Sequence, residues 1–343
     1  MAGVDAASTY CYLLAAAEQR DEKTWAWNLL DPIEQGFAPD YTIADGAKGL
    51  RAGQAIVMPD TPCHGDVFHI QHQFEQVANT LNRNASGATT QRLKLEARLN
   101  MWKPNTNQAR SLRGKLIHAQ QRERRLKALS NDVNTLRHWM SHDVLELAGP
   151  ELQVRQELFD FIVDELQQRE HKDHPAIRTL RIALSRQRDN LLAFAGVLDD
   201  KLVAIAHHFK VSLQSVRDVC LLQRKSPNSD AYWQRWNQLH RELSHRFHGV
   251  IEAVMEALNQ TPRASSLVEN LNSRLRNYFF LRRSLGDHYL RASARKSGFN
   301  MVRETSIELL IWCHVSRVCF CAKDALYPSF QNCHSSRCPN GSI

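Results

Sequence analysis

The chain of 343 residues is 43% hydrophobic and 23% charged, enough for two or three domains with cores, which excludes a small disulfide-stapled scaffold and a wholly disordered chain. Its 14 glycines and 11 prolines exclude collagen-like and low-complexity classes. The net charge of +8 is unevenly divided: residues 1–75 carry 4 basic and 11 acidic side chains, residues 91–130 carry 11 and 2, and residues 263–296 carry 8 and 2.

In chain order, residues 9–14 (TYCYLL) are rich in β-formers and read as a strand. Residues 22–33 form an amphipathic helix, with Trp25, Leu29 and Ile33 at steps of four and Gly36 just past its end. A short strand over 41–44 stops at Asp45-Gly46, a second helix covers 47–57, and Val67-Phe68 sit in another strand. Strand–helix–strand–helix–strand with short connections predicts a mixed, at least partly parallel sheet. From about His69 to Gln260 glycine nearly vanishes, and leucines such as Leu152, Leu158, Ile162 and Leu166 follow helical spacing. This is an all-helical block over 71–260, with loops at 103–111 and 224–230. Within it, residues 202–222 have the spacing of a helix-turn-helix. Residues 266–285 form one more helix, with Leu267, Leu271, Leu275 and Phe279 along one side. The tail, 292–343, has no periodicity and is expected to be disordered.

The acidic segment beside two basic ones fits carboxylates gathered for a cation next to surfaces that attract phosphates. The N-terminus lacks a basic n-region, and no apolar run reaches the ~18 residues of a membrane span. Cys11, Cys63 and Cys220 are scattered as in a reducing compartment. A cytoplasmic, nucleoid-associated protein without a membrane partner is the expectation. The tail residues Cys313, His314, Cys319, Cys321, Cys333, His334 and Cys338 match no common zinc spacing, so incidental composition is favoured over a zinc site.

Three places carry candidate chemistry. Asp45 follows a parallel strand, where open α/β sheets place their active sites, and Gly46 keeps the approach open; alternatively Asp45 caps the next helix. Glu269 has Asn272 and Arg276 on its helix face, with Arg283 near the same azimuth. Its alternative is a capping box opened by Ser266, which leaves Arg274, Arg276, Arg282 and Arg283 unexplained. Those four lie mostly off the apolar stripe and suit nucleic acid. The cluster Cys63-His64-Gly65-Asp66-Val67-Phe68-His69 lacks the second pair of a structural zinc site, but Asp66 and His69 are candidates to line the cleft of Asp45.

Taken together, these segments resemble bacterial insertion-sequence transposases with an RNase H-like DDE core, related to the mutator-type group. The likeness is carried by Gly3-Val4-Asp5, Trp25 with Leu29-Leu30, residues 36–40 (GFAPD), 42–50 (TIADGAKGL), 65–69 (GDVFH) and 263–270 (RASSLVEN), followed by Arg274 and Arg276. It implies α/β plus all-α architecture: an RNase H-like mixed sheet core over 1–70, a large helical insertion over 71–260, and a core helix over 261–291. It also implies DNA transposition by metal-dependent phosphodiester cleavage and strand transfer, with Mg²⁺ or Mn²⁺ held by oxygen ligands. Asp45 matches the second family aspartate, Glu269 the glutamate, and Arg276 a basic position on DNA phosphate. The basic stretch containing Arg122, Arg124 and Arg125 would then hold DNA, whether transposon ends or target, in a homodimer or higher oligomer.

Two departures from the family shape the expectation. The first catalytic aspartate lies upstream of the Gly-Val-Asp segment, and Asp5 matches a second-strand position, so no residue here fills the first site. From about Ala292 the sequence no longer follows the family. A truncated, catalytically defective transposase is therefore expected. The competing readings are a helical DNA-binding or regulatory protein without catalysis and a zinc protein organised by the tail.

Overall fold

A computed structural model describes residues 1–281 except 7, 16, 18, 105 and 171–174, together with 300–301 and 317–322, and describes side chains up to residue 273. The described fold is predominantly helical. Its smaller part opens with an antiparallel hairpin of β1 (Ala2–Asp5) and β2 (Tyr10–Leu14). Helix α1 (Glu22–Glu34) follows; its N-cap Asp21 accepts the Thr24 N–H at 2.8 Å. Strand β3 (Pro39–Ala44), helix α2 (Lys48–Val57) and strand β4 (Cys63–Gly65) make a right-sized crossover, with β3 and β4 parallel and Ala44 opposite Gly65. Trp25, Leu29 and Leu50 bury the contact between α1 and α2. That contact needs glycine: a Cβ on Gly53 would lie 2.5 Å from the Trp25 Cβ.

Two short strands from the last fifty residues complete the sheet. β5 (Asn300–Met301) pairs with β2, and β6 (Arg317–Ala322) lies between β1 and β3, parallel to the first and antiparallel to the second. The strand order is β4-β3-β6-β1-β2-β5. The expectation of a wholly disordered tail over 292–343 is thus corrected at these eight positions, where backbone pairing overrides a composition without periodicity. The remainder of that segment lies outside the described residues.

The larger part is all helix: α3 (Val67–Asn100), α4 (Asn107–Trp139), a π-helical turn (Met140–Val144), α5 (Leu152–Gln168), α6 (Pro175–Phe209), α7 (Leu213–Leu222), α8 (Asp230–Leu243), a 3₁₀ turn (Ser244–Arg246) and α9 (Phe247–Asn259). Helix α10 (Ser266–Leu281) returns to pack on β1 and β6. The block therefore begins at Val67. The expected strand at Val67-Phe68 is a helix start instead, because the Asp66 carboxylate accepts the Phe68 N–H at 3.0 Å and caps α3. The loop expected over 103–111 is likewise shorter, since Thr106 caps α4 by accepting the Ala109 N–H.

Helix α6 joins two apolar cores. Leu180, Leu184 and Leu191 pack with Phe74, Phe159 and Ile162, while Leu198 and Leu202 pack with Val216, Phe247 and Val250. Between α4 and α5 the buried guanidinium of Arg155 donates to the carbonyls of Val144, Glu146, Leu147 and Pro150, and burial pushes its pKa down to about 10. The helix-turn-helix spacing is realised by α6 and α7 around Lys210 in the left-handed region, φ 52°. Its second helix has little to offer DNA. Arg217 is paired with Glu151 and Asp199, and Asp218 with Arg235. No helix among the described residues is long and apolar enough to cross a membrane.

Candidate functional site at the strand ends

Strand β3 delivers Asp45 just past its carboxyl end. There the Asp45 Oδ1 accepts the Ala47 N–H at 3.0 Å, the local turn that Asp favours ahead of a helix. From one turn into α2, Arg51 folds back over the strand ends. Its Nε donates to the Asp45 carbonyl at 3.1 Å and its Nη2 to the Ala44 and His64 carbonyls at 3.3 and 3.5 Å. A guanidinium thus sits beside Asp45, where the sequence had drawn attention only to the acid. Gly46 does not leave the approach open as expected: a Cβ there would lie 3.3 Å from Gln187 of α6.

Asp66 occupies the centre of the arrangement and is 1% exposed. Its N–H donates to the Ala44 carbonyl at 3.1 Å, tying the end of β4 to the end of β3. Its Oδ1 accepts the Phe68 and Ser265 N–H groups at 3.0 and 3.1 Å, and its Oδ2 accepts the Ser265 hydroxyl at 2.5 Å. Beside it the Val67 N–H donates to the Arg263 carbonyl at 3.1 Å. The expectation that Asp66 lines a cleft is therefore corrected. Its carboxylate is occupied by three neutral donors and acts as a buried joint. His69 lies on α3 with its Nε2 2.7 Å from the Gln73 Nε2.

Ser265 also settles the frame of α10. Its carbonyl accepts the Glu269 N–H at 3.0 Å, the first intrahelical bond, so Ser265 is the N-cap. Glu269 then falls one position past the place a capping-box acid takes, and Asp66 accepts the N-cap amide in its stead. Three residues on, Asn272 is 1% exposed, and among the described residues neither of its amide atoms has a hydrogen-bond partner. On the other side of the joint, His64 stacks on Tyr41 with ring centroids 4.4 Å apart, and burial followed by the charge of Arg51 holds its pKa down at about 4. Burial also raises the pKa of the Cys63 thiol.

The structure therefore gathers the segments around Asp45, Asp66 and Glu269, with Ala44, Asp66 and Ser265 in one chain of hydrogen bonds. Of the other sequence candidates, it does not bring in the three on α4. Arg122, Arg124 and Arg125 are exposed on α4. Arg274 and Arg276 lie on the backbone of α10 beyond the described side chains, and Arg282, Arg283 and most of the tail cysteines and histidines lie outside the described residues. Arg51, Gln187 and Ser265 were missed. For Ser265 a signal existed, since the pair Ser265-Ser266 offers two N-cap frames. Among the described residues no group of three or more His, Cys, Asp or Glu side chains is placed to hold a metal. The donors at the strand ends thus fall short of the three-carboxylate, two-metal set that the resemblance implies.

Comparison with protein-family models, with curated proteins and with solved structures finds no match to this chain.

Proposed function

We propose that the chain is a DNA-acting protein of the DDE-transposase type, whose α/β part is an RNase H-like core interrupted by the helices α3–α9. The observation that carries this reading is the Asp66 joint. The resemblance requires residues 42–50, 65–69 and 263–270 to converge, and Asp66 binds Ala44 on one side and Ser265, 199 residues away, on the other. In this reading Asp45 and Glu269 are the metal ligands, Mg²⁺ or Mn²⁺ is the cofactor and DNA the substrate. When bound, the cation would supply charge neutralisation at a phosphodiester. Two carboxylates suit one hydrated hard cation and leave the rest of its shell to water and phosphate. The chain's own groups hold that position: Arg51 fixes the backbone on either side of Asp45, and Asp66 fixes the start of the helix that carries Glu269.

The test is Mn²⁺ binding followed by electron paramagnetic resonance. Weak binding is expected, lost in both Asp45→Asn and Glu269→Gln, with no strand cleavage of duplex DNA by the chain alone. Binding indifferent to both substitutions removes the reading. The non-catalytic alternative is favoured by the basic character of α4, and it predicts DNA binding unchanged in both variants with no Mn²⁺ bound.

A further inference from the structure

Helices α3 and α4 run as an antiparallel hairpin 34 and 33 residues long. On α3 the last buried residue is Ala88, and on α4 only Ala109, Ala119 and Glu123 are buried before Ser130. About 12 residues of α3, ~18 Å at 1.5 Å per residue, therefore extend past its last buried position as one half of a two-helix arm.

The arm separates its charges in a way a merely solvated helix does not. Residues 91–130 carry 11 basic and 2 acidic side chains. Both acids engage Arg92, and Glu123 engages Lys127 as well: Glu96 meets Arg92 at 2.5 Å, and Glu123 binds Arg92 and, at 2.7 Å, Lys127. Eleven cations less these two leave nine, all exposed, and among the described residues none has a carboxylate within salt-bridge reach. A helix that is only solvated interleaves opposite signs at steps of three and four. Here Glu123 is buried on the inner side, Glu96 is tied to Arg92 at the flank, and the nine other cations give the rest of the outside one sign.

The helical period orders part of that outside. At 100° per residue, Arg110, Arg113, Arg124 and Arg125 fall within roughly 120° of arc, which starts about 40° round from Ala109 at Arg113 and continues to the side of α4 away from Ala119 and Glu123. They span about 15 residues, or ~22 Å. Like charges at this density repel one another until a polyanion neutralises them. The arm has one Trp, Tyr or Phe, Trp102 at its tip, so it lacks the row of stacking rings that single-stranded nucleic acid uses.

We propose that the α3–α4 arm docks along the phosphate backbone of a nucleic acid duplex, independently of base sequence, with Arg110, Arg113, Arg124 and Arg125 as its main contacts. This stands whether or not the strand-end site holds a metal, because it uses none of the residues there.

The test is anisotropy titration of the full chain against 30-base-pair DNA and RNA duplexes of arbitrary sequence, over a range of KCl concentrations. The variant Arg110→Gln/Arg113→Gln/Arg124→Gln/Arg125→Gln is expected to flatten the slope of log K against log salt by about 3 to 4 and to weaken binding at 0.1 M salt on the order of 10³-fold. The same four positions changed to Lys should restore the slope. A control of four exposed cations on the body, Lys23→Gln/Arg186→Gln/Lys225→Gln/Arg241→Gln, should leave it within one unit. The proposal is overturned if the arm variant keeps the wild-type slope, if the body variant loses as much, or if Trp102→Ala alone abolishes binding. It is equally overturned if the wild type prefers single strands, or vesicles of phosphatidylserine and phosphatidylcholine, over duplex.

Discussion

At the strand ends a buried carboxylate, Asp66, accepts three neutral donors and fastens segments 199 residues apart, whereas along the arm the carboxylate of Glu123 meets two cations and fastens only neighbouring helices. The first arrangement raises local order by satisfying backbone and hydroxyl groups that have no water to turn to. The second holds negative charge inward: Lys127 first, then Thr89 and Arg92, keep the Glu123 pKa down at about 2, and the outside of the arm stays positive. One region satisfies its own polar groups, and the other, in the proposal above, is completed by a polyanion. Substitutions in the two regions should therefore differ in kind, with stability lost at the joint and binding altered on the arm.

The largest effect is expected at Asp66. Asp66→Ala strands the Ser265 N–H and hydroxyl and uncaps α3, which should cost about 3 kcal/mol in urea unfolding. Asp66→Asn keeps an acceptor for the two N–H groups and should lose about half as much. If Asp66→Ala instead left stability intact while abolishing Mn²⁺ binding, Asp66 would be a ligand and not a joint.

His64 gives the next effect, through pH. Its folded pKa of about 4 lies below the ordinary 6.5, so the unfolded chain binds the proton more readily. The associated stability is fully present above pH 6.5 and is lost as pH falls toward 4. Between pH 7 and pH 5 the loss should be about 2 kcal/mol. His64→Phe, which keeps the stack on Tyr41, should remove that part of the pH dependence, and identical profiles for the two proteins would refute it.

The sequence made some of this legible and hid the rest for physical reasons. The period of four in Trp25, Leu29 and Ile33 announces α1, and the charge count over 91–130 announces the arm. At Val67-Phe68 the β-branched and aromatic side chains suit a strand, but the cap residue Asp66 before them starts a helix. The joint itself could not be read, because it depends on Ser265 meeting Asp66 across the whole helical block. Arg51 was overlooked because its partners are backbone carbonyls, which leave no complementary acid in the sequence. The i, i+4 spacing offers the pair of Arg92 with Glu96, but only the hairpin pairing shows that Glu123 sits against Arg92 as well.

Glu123→Gln sharpens the comparison from the arm's side. It releases Lys127 and leaves Arg92 with Glu96, so about one more cation faces outward. The salt slope for duplex should steepen by about 1 and affinity at 0.1 M salt should rise about tenfold. Mild acid should not imitate the substitution, since the carboxyl stays ionised down to about pH 2. An unchanged slope would mean that the acid does not screen the arm.

The smallest effect should be that of the four-arginine arm variant on stability without ligand. Each of its side chains is exposed and, among the described residues, none has a carboxylate partner, so no ion pair seen there is given up. Arg110 and Arg113, three apart on one helix, repel each other by a few tenths of a kcal/mol, so neutralising them removes a small penalty. The expected change in unfolding free energy is within about 0.5 kcal/mol, if anything toward greater stability. A thermal or urea denaturation curve decides it. A loss above about 1 kcal/mol would show that the guanidinium groups hold the hairpin together, and the contrast between a self-sufficient joint and an arm awaiting a partner would fail.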